Sequence, residues 1–396
     1  MLKIKIKSST ISPAMARKQR RLAALAAPDF VTHRPSLAAC QKVFRRFKNV
    51  KQVIVIANGG SRNTTLALYR SLAYLHKSKP FCFVSSGQPD YLAATQRHCP
   101  PRSTLIFVVS KSGTNINSLE PLLFFIQKGY RHVVVVTEDN GNPLAVIAKH
   151  YRFPIVNHPP ISGRFSGRTT STLAVAPFIG MDIAAFNRST VAAYRRYQKS
   201  ALTVAAHLAT LHNHGYHELF TAAYSEYVAG FMPLLTQLIH ESTGQQGKGF
   251  TIFGDAAPES HHHTNQRFFG GRRDVVGLFI AVQDIDGGRS KISIPRELRS
   301  IRYRGGQLGD INGLPYQAGL GADLAGTLHH AAAAKIPHVL ITIDEWNDRT
   351  AGELLAFWQL TVYYLTLFLG LEPFEQPDVE RAKIVSWRER LKYARR

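Results

Sequence analysis

Acidic residues are scarce in this chain of 396 residues: 26 Asp and Glu stand against 49 Lys and Arg, for a formal net charge of +23. Such a surface attracts anions, whether sugar phosphates, nucleic acid or acidic membranes. Net charge alone does not choose among them, and no zinc-finger, RNP or basic-heptad pattern accompanies it. Cysteine is scarcer still. Cys40, Cys82 and Cys99 form no CxxC pair. Buried free thiols in a reducing compartment are the simplest reading, with a single disulfide left open. There is no apolar signal-peptide core, because LAALAA at 22–27 is too short. The first 28 residues contain no Asp or Glu and carry Lys3, Lys5, Lys7, Arg17, Lys18, Arg20 and Arg21. That composition overlaps with organelle transit peptides, but a disordered or loosely docked basic arm is expected. One long apolar run, Leu354 to Leu371, approaches the length of a membrane span. It holds Gln359, Thr361 and Thr366, and Glu353 and Glu372 flank it. A helix buried between layers of a soluble, cytoplasmic protein is expected there, with no membrane partner.

What the chain does have is apolar content. At 45% hydrophobic and 19% charged residues, it can bury real cores. Its length fits two or three domains, or two fused lobes. Short apolar, β-branched runs alternate with amphipathic stretches. Gln52–Ala57, Phe81–Ser85, Leu105–Ser110 and His132–Thr137 read as buried parallel strands, with helices after the first and third and from Pro143 to His150. A second, more degenerate unit offers a helix at Phe231–Ser242, strands at Phe250–Gly254, Val275–Gln283 and His338–Ile343, and helices at Leu320–Ala334 and Thr350–Leu369. Strands alternating with helices predict an α/β fold with parallel sheets covered on both faces. The expected division is a basic N-terminal arm and helix over 1–45, one subdomain over 46–195, a second over 196–370, and a tail over 371–396. The helical stretch 196–215 would bridge the two units. The polar segment 255–274 is long for a structureless loop, and such loops tend to be functional.

Two loops carry phosphate chemistry. Gly59-Gly60-Ser61 follows a strand and opens a helix, which aims backbone N–H groups and a hydroxyl at a helix N-terminus. It lacks the spacing of dinucleotide and P-loop motifs. Ser110-Lys111-Ser112-Gly113-Thr114-Asn115 repeats the arrangement after LIFVVS. Two such loops on neighbouring strands predict a sugar-phosphate pocket made by Gly60, Ser61, Ser110, Lys111, Ser112 and Thr114, with Asn115 adding a hydrogen bond. Parallel sheets bind ligands there, beyond the carboxyl ends of their strands.

GGS followed by SKSGTN resembles the sugar-isomerase (SIS) domain, and specifically the phosphoglucose isomerase family. Further motifs follow in that family's chain order. Ser162-Gly163-Arg164-Phe165-Ser166 resembles its GGRFS segment, and His240-Glu241-Ser242-Thr243-Gly244 its ESxGK segment. His261-His262-His263 with Gln266 and Gly271 resembles QHSxxQxxxxxG, and the run from Pro373 to Lys383 resembles PFDQPGVExGK. The resemblance implies two SIS-type subdomains, each a mostly parallel sheet sandwiched by helices, with N- and C-terminal helical extensions. It implies cofactor-free interconversion of glucose 6-phosphate and fructose 6-phosphate through ring opening and a cis-enediol, a step of glycolysis and gluconeogenesis. Moving a proton between C1 and C2 needs a base, a role carboxylates fill, and Glu241 matches the family's base. Arg164 matches the arginine that stabilises the enediolate, an always-charged group suited to that task. His262 and Lys383 match the ring-opening pair. Gln376, seven residues before Lys383, matches a substrate-contacting glutamine. In that family the histidine comes from the partner subunit, which implies a homodimer with shared active sites.

The departures are specific. His261 and His263 flank His262 where the family has Gln and Ser, so any of the three imidazoles is a candidate. Gln245 stands at the lysine of ESxGK, with Lys248 nearby. Asn58 replaces an apolar residue before Gly59-Gly60, and Asp378 and Ala382 replace glycines. A metal site at the three histidines is not expected, since consecutive residues of a strand alternate faces. The competing readings are a bifunctional phosphoglucose/phosphomannose isomerase, a non-catalytic sugar-phosphate sensor, and RNA binding on charge alone.

Overall fold

The computed structural model describes residues 1–7, 11–284 and 286–395. Its strands are β1 Leu2–Lys7, β2 Gln52–Ala57, β3 Phe81–Val84, β4 Thr104–Val109, β5 Val133–Thr137, β6 Ile155–Asn157, β7 Glu218–Tyr224, β8 Thr251–Ala256, β9 Val275–Asp284, β10 Arg302–Tyr303, β11 Gly306–Gln307 and β12 His338–Glu345. One five-stranded sheet runs in the order β3-β2-β4-β5-β6 and is entirely parallel. Its central strands VIVIA, LIFVV and VVVV are solvent-inaccessible on both faces, which is why continuous β-branched runs, not alternating ones, encode them. Each such Val or Ile contributes on the order of 1.5–3 kcal/mol by leaving water.

A second sheet has the order β1-β12-β9-β7-β8. β7, β8, β9 and β12 are parallel, and β1 runs antiparallel along β12 with Leu2 opposite Ile343 and Lys7 opposite His338. The two sheets therefore share one topology. In each, the first parallel strand lies inside the sheet, the second pairs on one side, and the chain then crosses to the other side. Strand order reverses between β2 and β4 in the first sheet and between β7 and β9 in the second. The crevices beyond those carboxyl ends are the natural ligand sites.

The helices Ile183–Asn213 and Asp348–Phe368 pack against each other between the sheets. Polar groups inside this pair are matched: Tyr194 donates to Gln359 Oε1 at 2.5 Å, and Tyr197 donates to Glu353 Oε2 at 2.8 Å. Gln359 in turn donates to the carbonyl of Phe165 at 3.0 Å. The apolar run 354–371 is thus a buried inter-layer helix. Among the described residues no helix is long and apolar enough to cross a membrane.

Several expectations are corrected. Residues 2–7 are not a loose arm: Leu2 is buried, its N–H donates to Tyr197 at 2.8 Å, and the strand closes the second sheet. The boundary between 195 and 196 falls inside the Ile183–Asn213 helix, because a helix shared by both cores has no exposed break in it. Segment 255–274 is not structureless. It holds the end of β8, a 3₁₀ turn Glu259–His262 and a helix Thr264–Gly270. The three histidines consequently lie in a turn and not in a strand.

Candidate functional site

The site is built around Arg164. It sits in the 3₁₀ turn Gly163–Arg168 and is wholly buried. Its five donations are all met. Nε donates to Ser242 Oγ at 2.9 Å; Nη1 donates to Glu241 Oε1 at 3.0 Å and Gln376 Oε1 at 2.5 Å. Nη2 donates to the carbonyls of Pro373 at 2.6 Å and Glu375 at 3.0 Å. A guanidinium has five N–H groups in a fixed fork, so five acceptors around it hold it without an orphan. Burial pulls the Arg164 pKa down and the neighbouring Glu241 carboxylate pulls it back. A guanidinium stays charged in proteins.

Glu241 lies in the last turn of the helix Met232–Thr243 and is half-buried, its side chain 24% exposed. One oxygen holds Arg164. The other accepts from Gln237 Nε2 at 2.6 Å, one turn earlier on the same helix. Gln237 Oε1 accepts from Asn63 at 2.9 Å, which ties this helix to Gly59–Leu72. A carboxylate has about four acceptor positions, so Glu241 is oriented by two partners and keeps lone pairs for a third. Gln237 and Ser242 escape a reading by sequence. The four-residue spacing of Gln237 and Glu241 on one helical face is the signal that could find the first of them.

The glycine loop lies directly against this cluster. A Cβ on Gly60 would stand 2.1 Å from the carbonyl carbon of Gly163 and 2.4 Å from the nitrogen of Arg164. Only glycine lets the two turns meet. Ser61 is buried in the first turn of the Gly59–Leu72 helix, and Ser110 is buried at the end of β4. The two loops are joined by Asn58. Its Oδ1 accepts from Asn115 Nδ2 at 2.9 Å and Ser118 Oγ at 3.2 Å, and its Nδ2 donates to the Ser85 carbonyl at 2.7 Å. The asparagine that departs from the family pattern thus laces together the loops after β2, β3 and β4. Asn115 is occupied by this bond and by capping Asn117 N–H at 3.1 Å. Ser112 and Thr114 are exposed and hydrogen-bond each other at 2.9 Å. Lys111 lies 3.9 Å from Glu138. Gly113, at φ +63°, packs onto Asn142, where a Cβ would meet Oδ1 at 1.8 Å.

Gln245 also has a structural role. From the family's lysine position its Nε2 donates to the carbonyls of Ser242, Glu372 and Glu375. Together with Arg164 it fixes the segment 372–376.

Arg164, Glu241, Gln376, Gly60 and Ser61 are therefore brought together, with the 110–115 loop alongside. His262 and Lys383 are not. His262 is exposed in the turn after β8. Lys383 lies on the exposed helix Glu380–Ala394, its side chain 64% exposed and paired with Glu380 at 2.6 Å. Of the flanking histidines, His261 turns inward and bonds Tyr224 at 2.8 Å and Thr327 at 3.1 Å. Burial holds its pKa below the usual histidine value. His263 bonds Thr264 at 2.5 Å.

No family profile matches the sequence. The chain is 27% identical over 369 residues to the glucose-6-phosphate isomerase of Acholeplasma laidlawii, covering 86% of this chain and 84% of that protein. Its fold is similar to the crystal structure of a hypothetical protein from Thermus thermophilus, at a TM-score of 0.81 and 23% identity, over 96% of this chain and 95% of that one. It is also similar to a glucose-6-phosphate isomerase from Chlamydia trachomatis, at a TM-score of 0.77 and 21% identity, over 96% of this chain and 75% of that one.

Proposed function

We propose that this chain, which belongs to the phosphoglucose isomerase family of the SIS fold, interconverts glucose 6-phosphate and fructose 6-phosphate. The observation that carries the reading is the Arg164–Glu241 pair, a saturated buried cation against a half-exposed carboxylate, beside two phosphate-type loops at the point where strand order reverses. Ser61, Ser110, Lys111, Ser112 and Thr114 supply hydroxyls, N–H groups and a cation for the phosphate. Glu241 takes the proton from one of C1 and C2 and returns it to the other. Its two fixed hydrogen bonds aim the free lone pairs, which is the geometric requirement for a general base. Arg164 presents a charge that needs no reorganisation as the enediolate forms. Gln376 extends the same cluster toward the sugar.

In this reading His262 and Lys383 open the ring. Their exposure supports sites completed in a homodimer, with His262 supplied by the second copy. The protein would work in the cytoplasm, without a cofactor.

The test is turnover of fructose 6-phosphate, with glucose 6-phosphate read by a coupled dehydrogenase, in the wild type and in Glu241→Gln. General-base removal should cost roughly 10²–10⁴-fold in kcat while the variant remains folded. Turnover of mannose 6-phosphate by the same protein would widen the substrate class to both epimers. A folded wild type that turns over neither sugar would sink the enzyme and leave a sugar-phosphate sensor.

A further inference from the structure

Between β9 and the helix Tyr316–Ala333 the chain leaves its α/β layers. Among residues 286–315 none is buried. The excursion nevertheless has a fixed shape, held by its own atoms. The Asp286 carboxylate accepts from the N–H groups of Gly288 at 2.9 Å and Ser290 at 2.8 Å. Asp310 accepts from Gln307 N–H at 2.8 Å, and Asn312 accepts from Ile294 N–H at 2.9 Å. At its tip β10 and β11 pair as a short hairpin.

The charge on this excursion is one-sided. It carries Arg289, Lys291, Arg296, Arg299, Arg302 and Arg304 against Asp286, Glu297 and Asp310. Two of those carboxylates are already committed to backbone N–H groups. Arg299 donates to the Ile294 carbonyl at 3.0 Å, and Arg304 lies over the Tyr303 ring at 5.6 Å. Tyr303 is 61% exposed, between Arg302 and Arg304. The basic surface continues past the base of the excursion: Lys5 of β1 lines the same 650 Å³ cavity as Gly287 and Gly288.

Like charges gathered on one exposed excursion repel one another and attract anions. Guanidinium forks match phosphate oxygens two at a time. An exposed ring with arginines on either side is a platform for an unstacked base. A second copy of the chain meeting this face symmetrically would set cation against cation. We propose that the excursion 286–315 is a binding surface for single-stranded nucleic acid, its arginines on the phosphates and Tyr303 on a base. The inference is independent of the isomerase chemistry.

The experiment is fluorescence anisotropy of a labelled 20-nucleotide oligouridine against the full chain between 50 and 300 mM salt. The variants are Arg296→Gln/Arg299→Gln/Arg302→Gln/Arg304→Gln together and Tyr303→Ala alone. The quadruple variant should lose at least about tenfold in affinity, and its log–log salt slope should flatten by about 0.7 for each phosphate contact removed. Tyr303→Ala should weaken binding roughly tenfold with the slope unchanged. Isomerase turnover should stay at the wild-type level in both, which establishes folding. Wild-type affinity in the quadruple variant would overturn the proposal. So would a duplex bound as tightly as the single strand together with a silent Tyr303→Ala, since that is unspecific attraction. Variants that change only sedimentation, and not oligouridine binding, would make the face a contact between copies instead.

Discussion

Arg164 and Gln376 lie 212 residues apart in sequence and share a 2.5 Å hydrogen bond. With the carbonyls of Pro373 and Glu375 on the same guanidinium, Arg164 holds the segment 373–376 to the site at three points, beside the clamp that Gln245 supplies. Arg164→Lys keeps the charge but replaces five donors in a plane with three on a point. It should leave buried acceptors unmet and cost about 3 kcal/mol. The expected outcome is a lowered urea midpoint, proteolysis at 372–380 and at least a hundredfold loss of turnover. Gln376→Ala removes one acceptor and should cost only about 1 kcal/mol.

Gly60→Ala should separate two turns that now touch, because the new methyl would lie within 2.1–2.4 Å of the Gly163–Arg164 backbone. A shift near 1 Å at the reacting groups costs on the order of 10²-fold in rate. Gly319→Ala is the control. It lies in the helix Tyr316–Ala333 with nothing within 4 Å of where its methyl would stand, and should stabilise by up to about 1 kcal/mol. Equal effects from the two substitutions, read by turnover and thermal melting, would contradict the close-approach account.

Acid should destabilise the fold through His158. Its Nδ1–H donates to the Pro159 carbonyl at 2.7 Å, its Nε2 is buried without a partner among the described residues, and burial pushes its pKa down to about 4. The fold thus prefers the neutral ring. Its contribution is complete above the ordinary histidine value of 6.5 and is lost as pH falls toward 4, on the order of 3 kcal/mol across that window. His33, His212, His240 and His261 are also held low by burial and act in the same direction. Melting temperature between pH 4.5 and 7.5 should fall with acid in the wild type and fall less steeply in His158→Gln.

Cys82 should react before the other thiols. The Cys82 and Cys99 sulfurs lie 3.4 Å apart, and that hydrogen bond lowers the Cys82 pKa to about 7 while raising that of Cys99. Burial pushes Cys40 up to about 12. The thiolate is the reacting species. Limiting iodoacetamide should label Cys82 first and Cys40 last. Diamide should take two hydrogens from the Cys82–Cys99 pair, closing one disulfide, and peptide mapping that finds Cys40 modified first would reject the ordering.

The layers of the first sheet were legible because β2, β4 and β5 are buried on both faces and so are written as unbroken apolar runs. Three strands of the two five-stranded sheets escaped. β6 has only three residues. β7, ELFTAAY, is rich in small residues that suit helices as well. The lysines of β1 hid a strict two-residue alternation inside a basic composition. The site divides in the same way. Arg164 and Glu241 were visible as side chains in motifs. Their carbonyl partners at 373 and 375 were not, since every residue has a carbonyl and only the fold selects these two. Gln245 reads as the loss of a lysine, yet it serves as a clamp on that segment. His262 and Lys383 could be placed by motif, but their exposure depends on what else covers them.

The antiparallel pairing of β1 with β12 has a consequence for synthesis. Among the described strands, the first in chain order is the partner of the last. At ~5–20 residues per second of translation, it spends tens of seconds outside the ribosome before residues 338–345 exist. An apolar edge waiting that long invites pairing with a neighbouring nascent chain. The alternation of LKIKIK, which turns Lys3, Lys5 and Lys7 to solvent while Leu2 faces the core, places a like charge at every second step of any such mispairing. The lysines that made this segment look like a loose arm thus guard an unpaired strand until the chain closes on itself.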